Sequence, residues 1–389
     1  MPATETRDAK ARDAGAEGRR PSGRLVSLDA FRGLTIAAMI LVNNPGSWNH
    51  VYPPLLHAEW NGWTPTDLIF PFFLFIVGVA MPFSFARRLE RGGSRISLLR
   101  HSVRRALVIA GLGLFMAGFP RFDLGGIRIP GVLQRIGLVY LVAAPAYLFL
   151  SVRVRAALTA TLLLGYWALL MWVPWAGHTP GDLTPDGNLG AFIDRALLGG
   201  HLWSQSRTWD PEGLLSTLPA VASALLGVFT GEYLRSQRDR TYAVRVLSAA
   251  GVTLTLIGLL WGRTFPINKS LWTSSYVVFT AGAALLALAG CMLAIDVAGW
   301  RAWARPFEVY GRNAIAVFVG SGLLAKMLIR TQIAAPDGGQ RSLYAWLYET
   351  LFLPWASPVN ASLAFAVSTV VLWWAVLRWM DHRRIYLKV

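Results

Sequence analysis

The chain has 389 residues, 54% of them hydrophobic and only 15% charged, too few polar side chains to cover a soluble globule of that size. That bias fits a protein whose solvent is largely hydrocarbon. The single cysteine, Cys291, excludes an intrachain disulfide framework and a thiolate metal cluster, and the net charge of +16 suits either nucleic acid or the cytoplasmic loops of a membrane protein.

Residues 1–23 are rich in Arg, Asp, Ala and Gly without apolar periodicity, and are expected to form a disordered cytoplasmic tail. Residues 24–389 read as one transmembrane domain. A cleavable signal peptide is not expected, because the first apolar stretch begins near Leu34 and runs on without a small-residue cleavage site. Ten stretches are long enough to cross the bilayer: 28–46, 67–85, 106–119, 130–150, 156–174, 214–234, 246–262, 274–295, 307–329 and 359–380. The third is the shortest and is expected to begin earlier, in the Arg-rich segment before it. The apolar segment 344–355 holds Pro354 and is too short to span, so a re-entrant or interfacial piece is expected. The fold class is therefore an all-α polytopic transmembrane bundle of about ten spans.

With the N-terminus inside, 26 of the 37 Lys and Arg fall in cytoplasmic segments and 8 on the opposite side. This asymmetry puts both termini in the cytoplasm. It also removes nucleic acid as a partner, because the cations flank spans and do not form one aromatic-interleaved patch.

Three outer loops, 47–66, 175–213 and 263–273, are rich in Trp, Pro, Asn and Asp, as loops that carry function or act as lids often are. At the other face, Ser27 is expected to cap the first helix, with Asp29 and Arg32 paired at i, i+3. At that helix's far end, Asn43 and Asn44 stand where Pro45 and Gly46 break it, suited equally to capping and to binding. His57 lies among Trp rings, where a neutral imidazole can accept a proton and an indole can stack on a sugar, although a loop histidine is more often simply solvated. Arg135 falls inside a span, where a buried cation faces either a phosphate or carboxylate or a structural partner. No His or Cys spacing suits a metal, and nucleophile-elbow, P-loop and dinucleotide fingerprints are absent from the sequence.

The run Leu28-Asp29-x-Phe31-Arg32-Gly33, then Val42-Asn43, then His57-Ala58-x-Trp60-Asn61-Gly62-x-Thr64-x-x-Asp67-Leu68-x-Phe70-Pro71 resembles the heparan-alpha-glucosaminide N-acetyltransferase family. So do the segment from Arg128 to Arg135, Asp210-Pro211-Glu212-Gly213, and Asn268-Lys269-x-Leu271-Trp272. The resemblance covers the chain from about Arg24 onward. It implies a transmembrane acyltransferase-like domain that carries acetyl groups from cytoplasmic acetyl-CoA to the amine of a glucosamine-type sugar on the outer face.

On that resemblance His57 is the active-site histidine, as base or transient acetyl carrier, and Asn43 a catalytic asparagine beside it. Arg32, Gln134 and Arg135 are the candidates for binding acetyl-CoA. Asp67, Asp210 and Glu212 are candidates for holding the sugar, with Asp29, Trp60, Asn61, Asn268 and Lys269 as further substrate-binding positions. The chain differs from the animal members in having no large region before the first span, so a cell-wall or catabolic amino sugar is the expected acceptor. The expected setting is the inner membrane, with membrane lipid as surroundings; a homodimer is compatible with it. The alternative is an amino-sugar or muropeptide transporter, which would show broken helices in corresponding halves; the sequence shows no such repeat.

Overall fold

The computed structural model describes residues 25–175, 179–334 and 339–387; the expected tail lies outside them. Its α-helices are α1 (Val26–Asn43), α2 (Ile69–Glu90), α3 (Arg95–Gly118), α4 (Val132–Phe149), α5 (Val152–Trp172), α6 (Leu189–Leu198), α7 (Thr217–Ser236), α8 (Arg240–Trp261), α9 (Ser274–Met292), α10 (Arg305–Arg312), α11 (Ala314–Arg330), α12 (Leu343–Leu351) and α13 (Pro358–His382). The strands described are β1 (Gln332–Ala334) and β2 (Gln340–Ser342), an antiparallel pair with Ile333 opposite Arg341. The molecule is an all-α polytopic bundle.

Eight helices are each long and apolar enough to span: α1, α2 with the 3₁₀ turn before it, α4, α5, α7, α8, α9 and α13. The expected ninth span is broken: α10 and α11 meet at a 75° bend. The break falls at Asn313, a buried side chain whose Nδ2 donates to the Ile385 carbonyl at 3.1 Å and whose Oδ1 accepts from the Leu387 amide at 3.0 Å. It thus pairs with the C-terminal backbone as another strand would. The expected third span is α3, which starts at Arg95 and not at Ala106, as the Arg-rich segment before it suggested. Segment 344–355 contributes the short helix α12, within the length expected of a non-spanning piece.

Helices in hydrocarbon gain little from hiding apolar surface, so close approach through small residues carries their association. The α2–α7 pair is built this way. Gly78 sits against the Ala224 carbonyl and Gly227 against the Phe75 carbonyl, with no room for a Cβ at either. Around this seam Leu74, Phe85, Val221, Leu225 and Val228 are buried together. Beside the bent pair, α11, α12 and α13 leave a cavity of about 280 Å³ lined by Leu324, Leu328, Leu347, Leu351, Leu372 and Trp373.

One end of the bundle gathers both ends of the described chain. Ser27 Oγ donates to Asp296 Oδ2 at 2.5 Å, Arg312 pairs with Asp381 at 2.8 Å, and Gly311 packs on the Asp29 carbonyl. Ser27 is therefore not the cap expected of it: α1 opens at Val26 with Leu25 in the cap position, and the hydroxyl serves a distant carboxylate instead. The expected Asp29–Arg32 pair forms at 3.3 Å. The three polar loops converge at the opposite end.

Candidate active site at the loop-bearing end

Three hydrogen bonds join the three loops. The Gly62 amide donates to the Ile267 carbonyl at 2.8 Å, Asn268 Nδ2 to Asn61 Oδ1 at 3.1 Å, and Trp60 Nε1 to the Leu183 carbonyl at 2.8 Å. Gly62 has φ +99°, a backbone conformation that disfavours side chains, so the turn that delivers these contacts calls for glycine.

The local sequence Thr64-Pro65-Thr66-Asp67 sets the centre of the site. Pro65 opens a 3₁₀ turn, Pro65–Leu68, and Thr64 and Asp67 close a reciprocal capping box around its start. Asp67 Oδ2 accepts from the Thr64 amide at 3.0 Å, the Ala58 amide at 3.0 Å and Thr64 Oγ1 at 3.2 Å. This fixes the buried carboxylate and leaves Oδ1 pointing at His57 Nδ1, 2.6 Å away. A carboxylate only accepts, so Nδ1 carries a proton and donates it, and the lone pair of the neutral ring is then the one on Nε2. The His57 side chain is half-exposed while Asp67 is 1% exposed. The Tyr276 hydroxyl, from α9, donates to the Asp67 carbonyl and holds the turn from beneath.

Lys269 enters from loop 263–273. Its Nζ lies 3.0 Å from Nδ1 and 3.1 Å from Nε2 of His57, and 3.5 Å from Asp67 Oδ1. Burial holds its ammonium below the ordinary lysine range, against the pull of Asp67 and Glu212.

A second cluster flanks the first. Arg128 Nε donates to Asp210 Oδ2 at 2.8 Å, its Nη2 reaches Asp210 Oδ1 at 2.5 Å, and Nη2 also bonds Glu212 Oε2. Burial opposes the charge, but the bonds to Asp210 and Glu212 outweigh it and raise Arg128 above its ordinary range. Arg135 is buried beneath, with Nη2 on the Gly213 carbonyl at 3.1 Å and on Ser216 Oγ, and its guanidinium 5.1 Å from the Trp272 ring. Its Nε and Nη1 are buried without a hydrogen-bond partner among the described residues. Asp194 adds a carboxyl that burial pushes up to about 6, against the Leu214 amide bond that lowers it. Partly exposed indoles line the rim: Trp60 and Trp209 lie 5.0 Å apart, Trp209 and Trp203 5.7 Å.

The sequence candidates thus divide. His57, Asp67, Lys269, Asn268, Asn61 and Trp60 come together, and Asp210, Glu212 and Arg135 lie beside them. Asp67 and Asp210 have at most 1% of their side chains exposed and Glu212 7%; both oxygens of Asp67 and of Asp210, and Oε2 of Glu212, accept from protein donors. Asn268 is buried, its amide committed to Asn61 and to the Leu271 amide at 2.8 Å. Asn43 is exposed at the end of α1, while its neighbour Asn44 takes the buried place and donates to the Ile40 carbonyl at 2.8 Å. Gln134 is buried against Gly113 and Gly131. Asp29 and Arg32 stand at the far end of α1, about 20 Å away by helix rise, so Asp29 is not brought to His57.

Arg128 and the Trp209–Trp203 pair were not among the candidates. The signal for Arg128 was the Asp-Pro-Glu doublet itself, two carboxylates that need a cation when buried.

A family model described as heparan-alpha-glucosaminide N-acetyltransferase, catalytic, matches residues 24–264. The chain is 33% identical over 375 residues to heparan-alpha-glucosaminide N-acetyltransferase of Mus musculus, a match covering 82% of this chain and 56% of that one. It is 32% identical over 354 residues to the protein of that name from Homo sapiens, covering 76% and 52% respectively. The chain therefore spans a little over half the length of these relatives.

Proposed function

The chain belongs to the heparan-alpha-glucosaminide N-acetyltransferase catalytic family, and on that premise we propose that it moves an acetyl group from acetyl-CoA to the amine of a glucosamine-type sugar. The donor is held from the basic, cytoplasmic end and the acceptor at the loop-bearing, outer end, in the inner membrane of the cell. The observation that carries this reading is His57 itself: a half-exposed imidazole whose Nδ1 proton is fixed by a buried carboxylate, with Nε2 left to act.

A polyanionic donor suits the end that bears Arg32. Arg240 Nη1, buried there without a hydrogen-bond partner among the described residues, is chemistry of the same kind. At the outer end, His57 Nε2 takes a proton from the sugar amine as the nitrogen attacks the thioester carbonyl. The C–N bond forms, the C–S bond breaks, and the proton passes on to the departing thiolate. The same nitrogen is the nucleophile if the acetyl group travels through the ring.

Asp67 orients the imidazole and stabilises its positive charge. Arg135, whose Nε and Nη1 have no hydrogen-bond partner among the described residues, and exposed Asn43 are the donors proposed to face the developing oxyanion. Trp60 and the exposed Asn61 offer a stacking face and an amide to the sugar ring. Metal chemistry is not part of the proposal.

Purified protein given acetyl-CoA and glucosamine should release free CoA, and His57→Ala should lower that rate by roughly 10²–10⁴-fold. Equal release from both would remove His57 from the chemistry. No release from the parent, together with uptake of labelled sugar into liposomes, would favour a transporter.

A further inference from the structure

Besides Asp67, Lys269 is the charged group in contact with His57, and the proposed reaction gives it no task. Its distances to the two His57 nitrogens, 3.0 and 3.1 Å, are nearly equal. Nζ is therefore off the lone-pair axis of either nitrogen, and what it brings to the ring is charge more than a directed hydrogen bond. It also lies 3.5 Å from Asp67 Oδ1, the same oxygen that accepts from His57. The other oxygen of that carboxylate is taken by Thr64 and Ala58. One buried negative charge is thus shared by two groups that can each be cationic.

We propose that Lys269 is a positioning residue that keeps His57 neutral: the ammonium takes the charge of Asp67, and the ring keeps the lone pair on Nε2. The inference rests on the reading of His57 as base or nucleophile.

A carboxylate hydrogen-bonded to an imidazole, acting alone, favours the imidazolium. An imidazolium has no lone pair, so it neither accepts a proton nor attacks a carbonyl. A second cation about 3 Å away turns that state into a like-charge contact over a single anion, and the neutral ring is restored. The other charged groups that act on Lys269 do not replace Asp67. Glu212, from the turn before α7, is already paired with Arg128, and Arg135, from α4, carries the same sign as the ammonium. The Lys269 side chain is 20% exposed, which leaves its charge little screened by water. During turnover the proton that His57 takes from the amine makes the triad net cationic, and this favours handing it on to the thiolate.

The test follows the ¹⁵N resonances of the His57 imidazole and the rate of CoA release against pH, in the parent, Lys269→Met, Lys269→Gln and Lys269→Arg. In the Met and Gln variants the imidazole should take up its proton about 1–3 pH units higher than in the parent. The acid limb of the rate profile should move with it, so the rate near neutrality falls roughly tenfold and recovers at alkaline pH. Lys269→Arg, which keeps a cation beside Asp67, should titrate like the parent. Unchanged imidazole titration in a folded Met or Gln variant would overturn the inference, because a lysine that only ties down its loop would leave the ring's protonation alone. The resonance titration needs no turnover, so a parent that transfers no acetyl group would sink the proposed function and still leave the role of Lys269 to be read.

Discussion

Two acid–base clusters stand side by side at the loop-bearing end, and they are built to opposite purposes. In one, Arg128 is held by both oxygens of Asp210 and by Glu212, and its charge is reinforced by the carboxylates around it. A guanidinium so placed gives up no proton and engages both oxygens of Asp210 and Oε2 of Glu212. In the other, Asp67 meets a half-exposed imidazole and the ammonium of Lys269, which burial holds below the ordinary lysine range. Similar distances thus yield a fastener in one place and a reactive centre in the other. What separates them is the identity of the base and whether one of its nitrogens reaches the surface.

The comparison is sharpened most by Asp67→Asn. The amide keeps the shape of the turn but no longer selects the Nδ1–H tautomer or balances an imidazolium, and CoA release should fall by about 10²-fold or more. A smaller loss would mean that the second cluster, and not the first, houses the chemistry. Arg128→Met should act the other way. It strands two buried carboxylates and should cost about 3–5 kcal/mol in thermal unfolding, while the protein that stays folded turns over within a few-fold of the parent.

The smallest effect is expected from Asp194→Asn. The folded-state carboxyl titrates at about 6, above its ordinary 3.8, so the stability it contributes is complete below about pH 4 and lost as pH rises through 6. The parent should lose about 2 kcal/mol across that window by thermal shift, and the Asn variant should show a flatter profile. An equal slope in both would remove Asp194 as its source.

Much of the architecture was legible from hydropathy alone, because a span has to be apolar along its whole length. The ten expected stretches correspond to eight helices long and apolar enough to cross, to the bent pair α10–α11, and to α3 with its basic first half. The convergence of the three loops was legible from their shared composition. Partner choice was not. Lys269 and His57 lie 212 residues apart, and Arg128 and Asp210 lie 82 apart, so nothing local says which carboxylate meets which cation. The same applies to Ser27, a plausible cap by its neighbours, whose hydroxyl is drawn to Asp296 across 269 residues. The amides Asn43 and Asn44 were equivalent in sequence, and only helix phase decides that the second is buried. The family model ends at 264, so Asn268 and Lys269 lie outside it.

The bend at Asn313 has a consequence for where the molecule ends. Beside the bent pair the protein leaves a hollow walled by leucines and Trp373 that α11, α12 and α13 do not close. In a bilayer, an apolar hollow of this kind is expected to take up hydrocarbon chains and not water. Delipidation should then loosen these three helices against one another and lower the unfolding temperature of the detergent-solubilised protein.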